Sequence, residues 1–263
     1  MRTVPNLPAV DVEKPNAARM YDYHLGGSHN FAVDRAAAER TRAVMPWVVD
    51  AIRANRAFLA RAVRFCQQQG ITQFLDLGSG IPTVGSVHEV ARATGRSARV
   101  AYVDNEPVAA VCAEALLADD PLATITRADL RDHDAVFNAP GVASLLDFSA
   151  PVALLTVMVL HAIPDSDDPA AIVAEYRRRL APGSFHVLSH ITADHDPDAA
   201  AKAADTFEST GTPVTVRSGE QIARMLDGVT LVEPGLVDAT VWRHDDPGAP
   251  EHVGIYAAVG RLD

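Results

Sequence analysis

The chain has 263 residues, 48% of them hydrophobic, which is enough for one α/β domain with a sizeable core and an attachment. Its 23 Lys and Arg stand against 34 Asp and Glu, and the net charge of −11 repels phosphodiester backbones and anionic membranes, so no nucleic acid and no membrane is expected as partner. Only Cys66 and Cys112 are present, both inside apolar helical patterns, which suits reduced thiols in a cytoplasmic protein rather than a disulfide framework.

Residues 1–15 are broken by prolines and carry no period, so they are expected to form a flexible arm without an export signal. Residues 16–70 read as an N-terminal helical cap. Its first part gathers Tyr21, His24 and Asn30 around the Gly26-Gly27 break, a composition that suits a lid over a ligand or a helical hairpin covering the core. A helix is predicted over 32–44, and a longer one from Pro46 to about Gln69, closed by Gly70. In the second, Val48, Ile52, Leu59, Ala62 and Cys66 form a buried stripe that also contains Asn55, an amide that must pin a neighbouring loop or reach a ligand.

Residues 71–263 read as alternating strands and helices. Gln73 to Leu77 is a short apolar strand that ends on Asp76 and opens into Gly78-Ser79-Gly80. Ser86 and Glu89 have capping-box spacing and start a helix. Arg99 to Asp104 repeats the apolar strand closed by an acid, and Pro107 begins the helix to Leu117. A third strand at 124–126 delivers Asp129, with Leu130 beside it, and 132–147 reads as short helices interrupted by Pro140-Gly141. The most apolar strand, 151–159, should be central and leads to His161. It is shorter than a bilayer span even when extended to Ile163. Further elements are a helix over 169–180, a strand over 184–191, helices over 198–207 and 219–226, and strands at 236–243 and 253–259 joined antiparallel through a turn at 245–250. The pattern indicates a doubly wound, mostly parallel, Rossmann-like sheet with an antiparallel C-terminal hairpin.

In such a sheet ligands bind above the carboxyl ends of the strands, and Asp76, Asp104, Asp129 and His161 are all expected at that edge. Asp104 lies roughly 25 residues beyond the glycine loop, the spacing at which a carboxylate meets a nucleotide ribose. The loop departs from the pyrophosphate-binding G-x-G-x-x-G, with Thr83 in third place and Pro82 removing a backbone donor, which argues against a nicotinamide or flavin dinucleotide.

These acids around a glycine loop look like motifs of the class I S-adenosylmethionine-dependent methyltransferases. The chain more closely resembles an actinobacterial S-adenosyl methyltransferase family formerly listed as a domain of unknown function. The resemblance is carried by Tyr21-Asp-Tyr-His-Leu-Gly-Gly-Ser-His-Asn-Phe, Arg53-Ala-Asn-Arg-Ala-Phe-Leu, Phe74-Leu-Asp-Leu-Gly-Ser-Gly-Ile-Pro-Thr, Val87-His-Glu-Val-Ala, Tyr102-Val-Asp-Asn-Glu-Pro, Ala128-Asp-Leu-Arg-Asp, Leu160-His-Ala-Ile-Pro-Asp and Leu188-Ser-His. It covers nearly everything beyond residue 15. It implies a seven-stranded sheet with the last strand inserted antiparallel and S-adenosyl-L-methionine as cofactor; the acceptor does not follow from it, and an unidentified small molecule is expected.

The resemblance further implies that Gly78, Ser79 and Gly80 pass beneath the methionine part of the cofactor, with Asp76 organising the loop or meeting its amine. Asp104 would take the ribose hydroxyls, Asn105 and Leu130 would lie against adenine, and Asp129 would accept from its amino group. Thr156 and His161 would border the reactive methyl, with His161 as candidate base. Tyr21, His24, Asn30, Asn55 and His190 are candidates for acceptor or lid contacts. No metal site is expected from His186, His190, Asp194, His195 and Asp196, because strand residues alternate faces and the remainder fall in a loop. Leu77 to Gly80 lacks the G-x-S-x-G spacing of a serine hydrolase. A non-catalytic S-adenosylmethionine sensor and a nicotinamide-dependent oxidoreductase are the alternatives.

Overall fold

The computed structural model describes residues 13–83, 85–209, 213–244 and 252–263, so the arm and the turn expected at 245–250 lie largely or wholly outside the described residues. Eight strands form one sheet in the order β3-β2-β1-β4-β5-β8-β6, with β7 also pairing with β8. The parallel part comprises β1 (Gln73–Leu77), β2 (Arg99–Asp104), β3 (Ala123–Arg127), β4 (Ala153–Val157) and β5 (Phe185–Ile191). The last strand, β8 (Ile255–Arg261), inserts antiparallel beside β5, and its other edge is shared by β6 (Thr230–Leu231) and β7 (Val237–Asp238). Two short pieces thus complete the seventh position of the sheet.

Helices cover both faces. On one lie α3 (Val48–Gln68), α4 (Val87–Ala93) and α5 (Pro107–Leu117), whose apolar residues join Phe74, Val100, Tyr102, Leu155 and Val187. On the other, α6 (His133–Phe137), α7 (Pro140–Ala143), α8 (Pro169–Arg178) and α10 (Gly219–Arg224) pack on Leu75, Leu77, Val103, Leu154 and Leu188. This two-residue alternation places Asp76 and Asp104 on the same face as Phe74 and Tyr102, beneath α3. Helix α3 is therefore part of the core layer. Its Phe58 and Phe65 meet Trp242 edge-on at ring separations of 5.4 and 5.9 Å.

Two helices sit above this layer. In α1 (Ala17–His24) the Asn16 side chain caps the amides of Ala18 and Arg19, and α2 (Ala32–Val44) follows the glycine break. Buried Arg19 donates to Asp34 of α2 at 2.8 Å and pairs with Glu106, which follows β2, at 3.4 Å. Asp22, also buried, accepts from His29 N, Asn30 Nδ2 and Thr83 Oγ1, tying α1 to the glycine loop. The remaining helix, α9 (Pro197–Ser209), contributes Phe207, which packs against Met45, Val48 and Ile52.

Several boundaries differ from the sequence reading. Pro46 lies in a turn, and α3 starts two residues later. Pro140 opens α7 instead of interrupting a helix. Strand β4 stops at Val157 because Met158 adopts φ +54, and His161 sits on a short 3-10 turn, Leu160–Ala162. The strand expected over 236–243 contracts to two residues. The Asp238 carboxylate accepts from its own Thr240 N and hydroxyl and from Val253 N, which closes a turn where pairing would have continued.

Candidate active site

A cavity of about 460 Å³ opens above the carboxyl ends of the strands. Its floor is the loop after β1. Gly78 and Gly80 have φ +70 and +61, and a Cβ on Gly78 would come within 2.0 Å of Val159 Cγ2, so only glycine fits there. The loop amides are already engaged: Gly78 N and Ser79 N donate to Val103 O, and Gly80 N donates to Asp104 Oδ2 at 2.7 Å. A pyrophosphate would need those N–H groups free, so the loop is not built for a dinucleotide.

Asp104 receives a second bond from Glu106 N at 2.9 Å. Two amides leave about two acceptor positions on the carboxylate, enough for a pair of ligand hydroxyls. Burial raises its pKa, and the amides of Glu106 and Gly80 that bond it oppose that shift. Asp76 differs. It lines the cavity at 7% exposure, and among the described residues its carboxylate accepts no hydrogen bond. Burial pushes its pKa up to about 7, with Asp104 adding to the rise and Arg56 opposing it. An unpartnered buried carboxylate at a ligand floor fits a cationic group, which favours the amine role over loop organisation.

Asp129, Leu130 and Asn105 also line the cavity. Tyr176 OH donates to Leu130 O at 2.8 Å and holds that corner. Asp129 is clamped by Arg131, whose Nε and NH2 lie 3.0 and 2.6 Å from its oxygens and hold its pKa down. Arg131 also reaches Asp167 at 2.7 Å, so it bridges the loop after β3 to the segment after β4.

On the other side stand His161, Tyr21, His24 and Asn55. Asn55 joins a helix and a strand rather than a loop: Nδ2 donates to Tyr21 OH at 3.0 Å, and Oδ1 accepts from Ser189 Oγ at 2.6 Å, pinning α1 to β5, and the residue also lines the cavity. His161 makes no side-chain hydrogen bond among the described residues, and its Nδ1 is sealed from solvent. Burial, reinforced by Arg217, lowers its pKa to about 4, so the imidazole is neutral at physiological pH.

Three expected residues do not reach the cavity. Thr156 is fully buried and bonds His186 Nε2 at 2.8 Å, because its position in β4 directs it into the core beside β5. His190 is buried, with Nε2 accepting from Arg217 NH1 at 2.8 Å and Nδ1 donating to Ile191 O. Asn30 acts through Asp22 and Gly27 O. Conversely, the sequence reading missed Arg56 and Arg217. Arg56 lines the cavity with its guanidinium 5.3 Å from the Tyr21 ring and no ion pair among the described residues. The signal available was its place one position after Asn55, on the same stretch of helix. Arg217, 2% exposed, binds Leu160 O, Ile163 O, His190 and Asp165 and so fixes the segment that carries His161.

Among the described residues one group could hold a metal ion: His195, Asp238 and His252, none of which lines the cavity. Asp238 there closes the turn described above, and the two imidazoles stack at 4.1 Å.

The floor, with an open carboxylate, a glycine cradle and a carboxylate retaining two acceptor positions, fits an amino-acid nucleoside. Comparisons with known proteins agree. A Thermobifida fusca structure provisionally described as a methyltransferase is 38% identical, with 99% of this chain and 100% of that one covered and a TM-score of 0.91. A DUF574 family protein from Streptomyces avermitilis is 33% identical over 96% of this chain and 99% of that one, also at 0.91. Human N-acetylserotonin methyltransferase in complex with S-adenosylmethionine shares the fold at 13% identity, covering 95% of this chain and 63% of that one, with a TM-score of 0.52. No curated protein matches. The family model described as S-adenosyl methyltransferase matches residues 5–263, and the chain belongs to that family of S-adenosylmethionine-dependent methyltransferases.

Proposed function

We propose that the protein transfers a methyl group in line to a small-molecule acceptor held in the cavity between the carboxyl ends of the strands and the helices α1 and α3. The observation that carries this reading is the pairing of Asp76 and Asp104 on one face of the sheet, one carboxylate open and the other retaining acceptor positions. Asp76 receives the cofactor's ammonium, Asp104 its ribose hydroxyls, and Gly78 to Gly80 support the chain between them. Arg56, the cavity cation without an ion pair among the described residues, is placed to meet the carboxylate of the same zwitterion. Asn105 and Leu130 flank the adenine. Asp129 accepts from the adenine amino group only by sharing its oxygens with Arg131.

Bound there, S-adenosylmethionine supplies an electrophilic methyl on a sulfonium, and no protein nucleophile is needed. The chain's contribution is to hold the acceptor about 3 Å away and exclude water. His161, neutral and without a side-chain partner among the described residues, accepts a hydrogen bond from the acceptor and orients its lone pair. With a pKa of about 4 it is a weak base, so positioning dominates its role. Tyr21, His24 and Asn55 complete the acceptor wall.

Calorimetry with S-adenosylmethionine, S-adenosylhomocysteine and NADH tests the site: the first two should bind and NADH should not. Methyl transfer across a library of small acceptors tests the activity. Cofactor binding without transfer to any acceptor would instead support a sensor.

A further inference from the structure

Charge is distributed unevenly along the cavity. The sheet order separates the ends of β1, β2 and β3 from the ends of β4 and β5 and the start of β8. Among the described lining residues every charged side chain belongs with the first group. Asp76, Asp104, Glu106, Asp129 and Arg131 lie at or just beyond those strand ends. Asp22 bonds Thr83 of the glycine loop, and Arg56 lies within electrostatic reach of Asp76.

The other half has a different composition. Met45, Val48 and Ile52 pack with Phe207. The Trp47 ring lies 3.7 Å from where a Cβ on Gly254 would sit, just before β8. Thr192 N donates to Gly254 O, and Thr215 N donates to His161 O, so these segments form one continuous wall that also includes Val214 and Val216. Its polar side chains include His161, His24, Asn55, Thr192 and Tyr21, whose hydroxyl is already bonded to Asn55 and Ile52 O. A cationic guest here would lose its hydration and find no counter-charge, and an anionic one would find only Arg217, already bonded to Asp165, His190 and two carbonyls behind the wall, whereas a neutral one would gain contact with apolar surface. With Nδ1 sealed, Nε2 is the ring nitrogen of the neutral His161 left to face the cavity, and with the proton on Nδ1 it offers an acceptor for a single donor group.

From this segregation we infer that the methyl acceptor is a neutral, largely apolar small molecule bearing one O–H or N–H, seated over the ends of β4 and β5 and the start of β8; the inference rests on the cofactor assignment above. Three probes of one shape test it by calorimetry on protein saturated with S-adenosylhomocysteine: 2-naphthol, 2-naphthoate and 2-naphthylmethylammonium. The neutral probe should bind at least tenfold more tightly than either ion. Comparable or tighter binding of an ion, or binding of none of the three to the loaded protein, overturns the inference while leaving the cofactor site intact. Failure of S-adenosylhomocysteine itself to bind removes the cofactor assignment and this inference together. Val214→Lys, at a half-buried position, should shift the preference at least tenfold toward 2-naphthoate. An unshifted preference in a variant with unchanged melting temperature moves the acceptor away from this wall and overturns the placement.

Discussion

At the ends of β1 and β2 the chain buries carboxylates, whereas along β5 and on the turn after β4 it holds histidines away from bulk water. Both groups are removed from water, but they are held in different charge states by different means. Asp104 draws two backbone amides that favour its anion, and Asp76 waits without a partner. Of the histidines, His186 and His190 each face an arginine that donates to a ring nitrogen, Arg177 to Nδ1 and Arg217 to Nε2, which leaves only the other nitrogen to carry the proton. Burial first, and those cations or neighbouring rings second, bring His186 and His190 to about 3 and His161 to about 4. One side is thus prepared for a ligand that brings positive charge, and the other for a ligand that brings none.

The contrast depends most heavily on Arg217. Arg217→Met would strand Leu160 O, Ile163 O and His190 Nε2 in a buried setting, and removing one member of such a network costs about 3 kcal/mol. For a chain of this size the melting temperature should fall by about 6 to 12 °C. A fall below about 2 °C would show that the arginine is dispensable to the histidine side.

On the carboxylate side the sharpest break is Asp104→Ala. Losing a charged hydrogen bond of roughly 1.5 to 3 kcal/mol should weaken S-adenosylhomocysteine binding about tenfold to a hundredfold by calorimetry. Unchanged affinity in a folded variant removes Asp104 from the ribose. His161→Ala should have a smaller and separable effect, lowering methyl transfer roughly tenfold to thirtyfold while leaving S-adenosylhomocysteine affinity within about twofold. A matching loss of cofactor affinity would place His161 on the cofactor side.

How much of this was legible follows the range of the forces involved. Strand β2 and helix α5 were readable to the residue, because an apolar run closed by Asp104 and a Pro107 in first position are local signals. The glycine loop and its flanking acids were legible for the same reason. What escaped depends on partners far along the chain. Arg217 meets Leu160 and His190 at separations of 57 and 27 residues, and nothing near position 217 announces a buried cation. Thr156 and His190 were placed at a strand end by their numbers, yet each is turned into the core by a neighbour on another element. The strand expected over 236–243 failed because Asp238 prefers its own turn, a competition that periodicity does not register.

Asp76 offers the finest test of the comparison, because its pH dependence runs opposite to that of the histidines. Its folded pKa of about 7 lies above the ordinary carboxylate value of 3.8, so between those values the folded state holds a proton that the unfolded state has lost. Stability from this group therefore declines as pH rises from about 4 to 7 and is flat above. The three histidines, depressed below their ordinary 6.5, are neutral when folded and charged when unfolded over roughly pH 4 to 6.5, so their contribution falls as pH drops through that window. Asp76→Asn removes this one contribution, so the variant should gain on the order of 2 kcal/mol over wild type at pH 8 and lose that advantage towards pH 4 in urea melts. Cofactor binding should respond in the reverse sense: if the ammonium needs the ionised carboxylate, wild-type affinity should fall about tenfold from pH 8 to pH 6. The asparagine variant should bind weakly and without that slope. A wild-type affinity that is level across this range would mean that Asp76 is not the group receiving the positive charge.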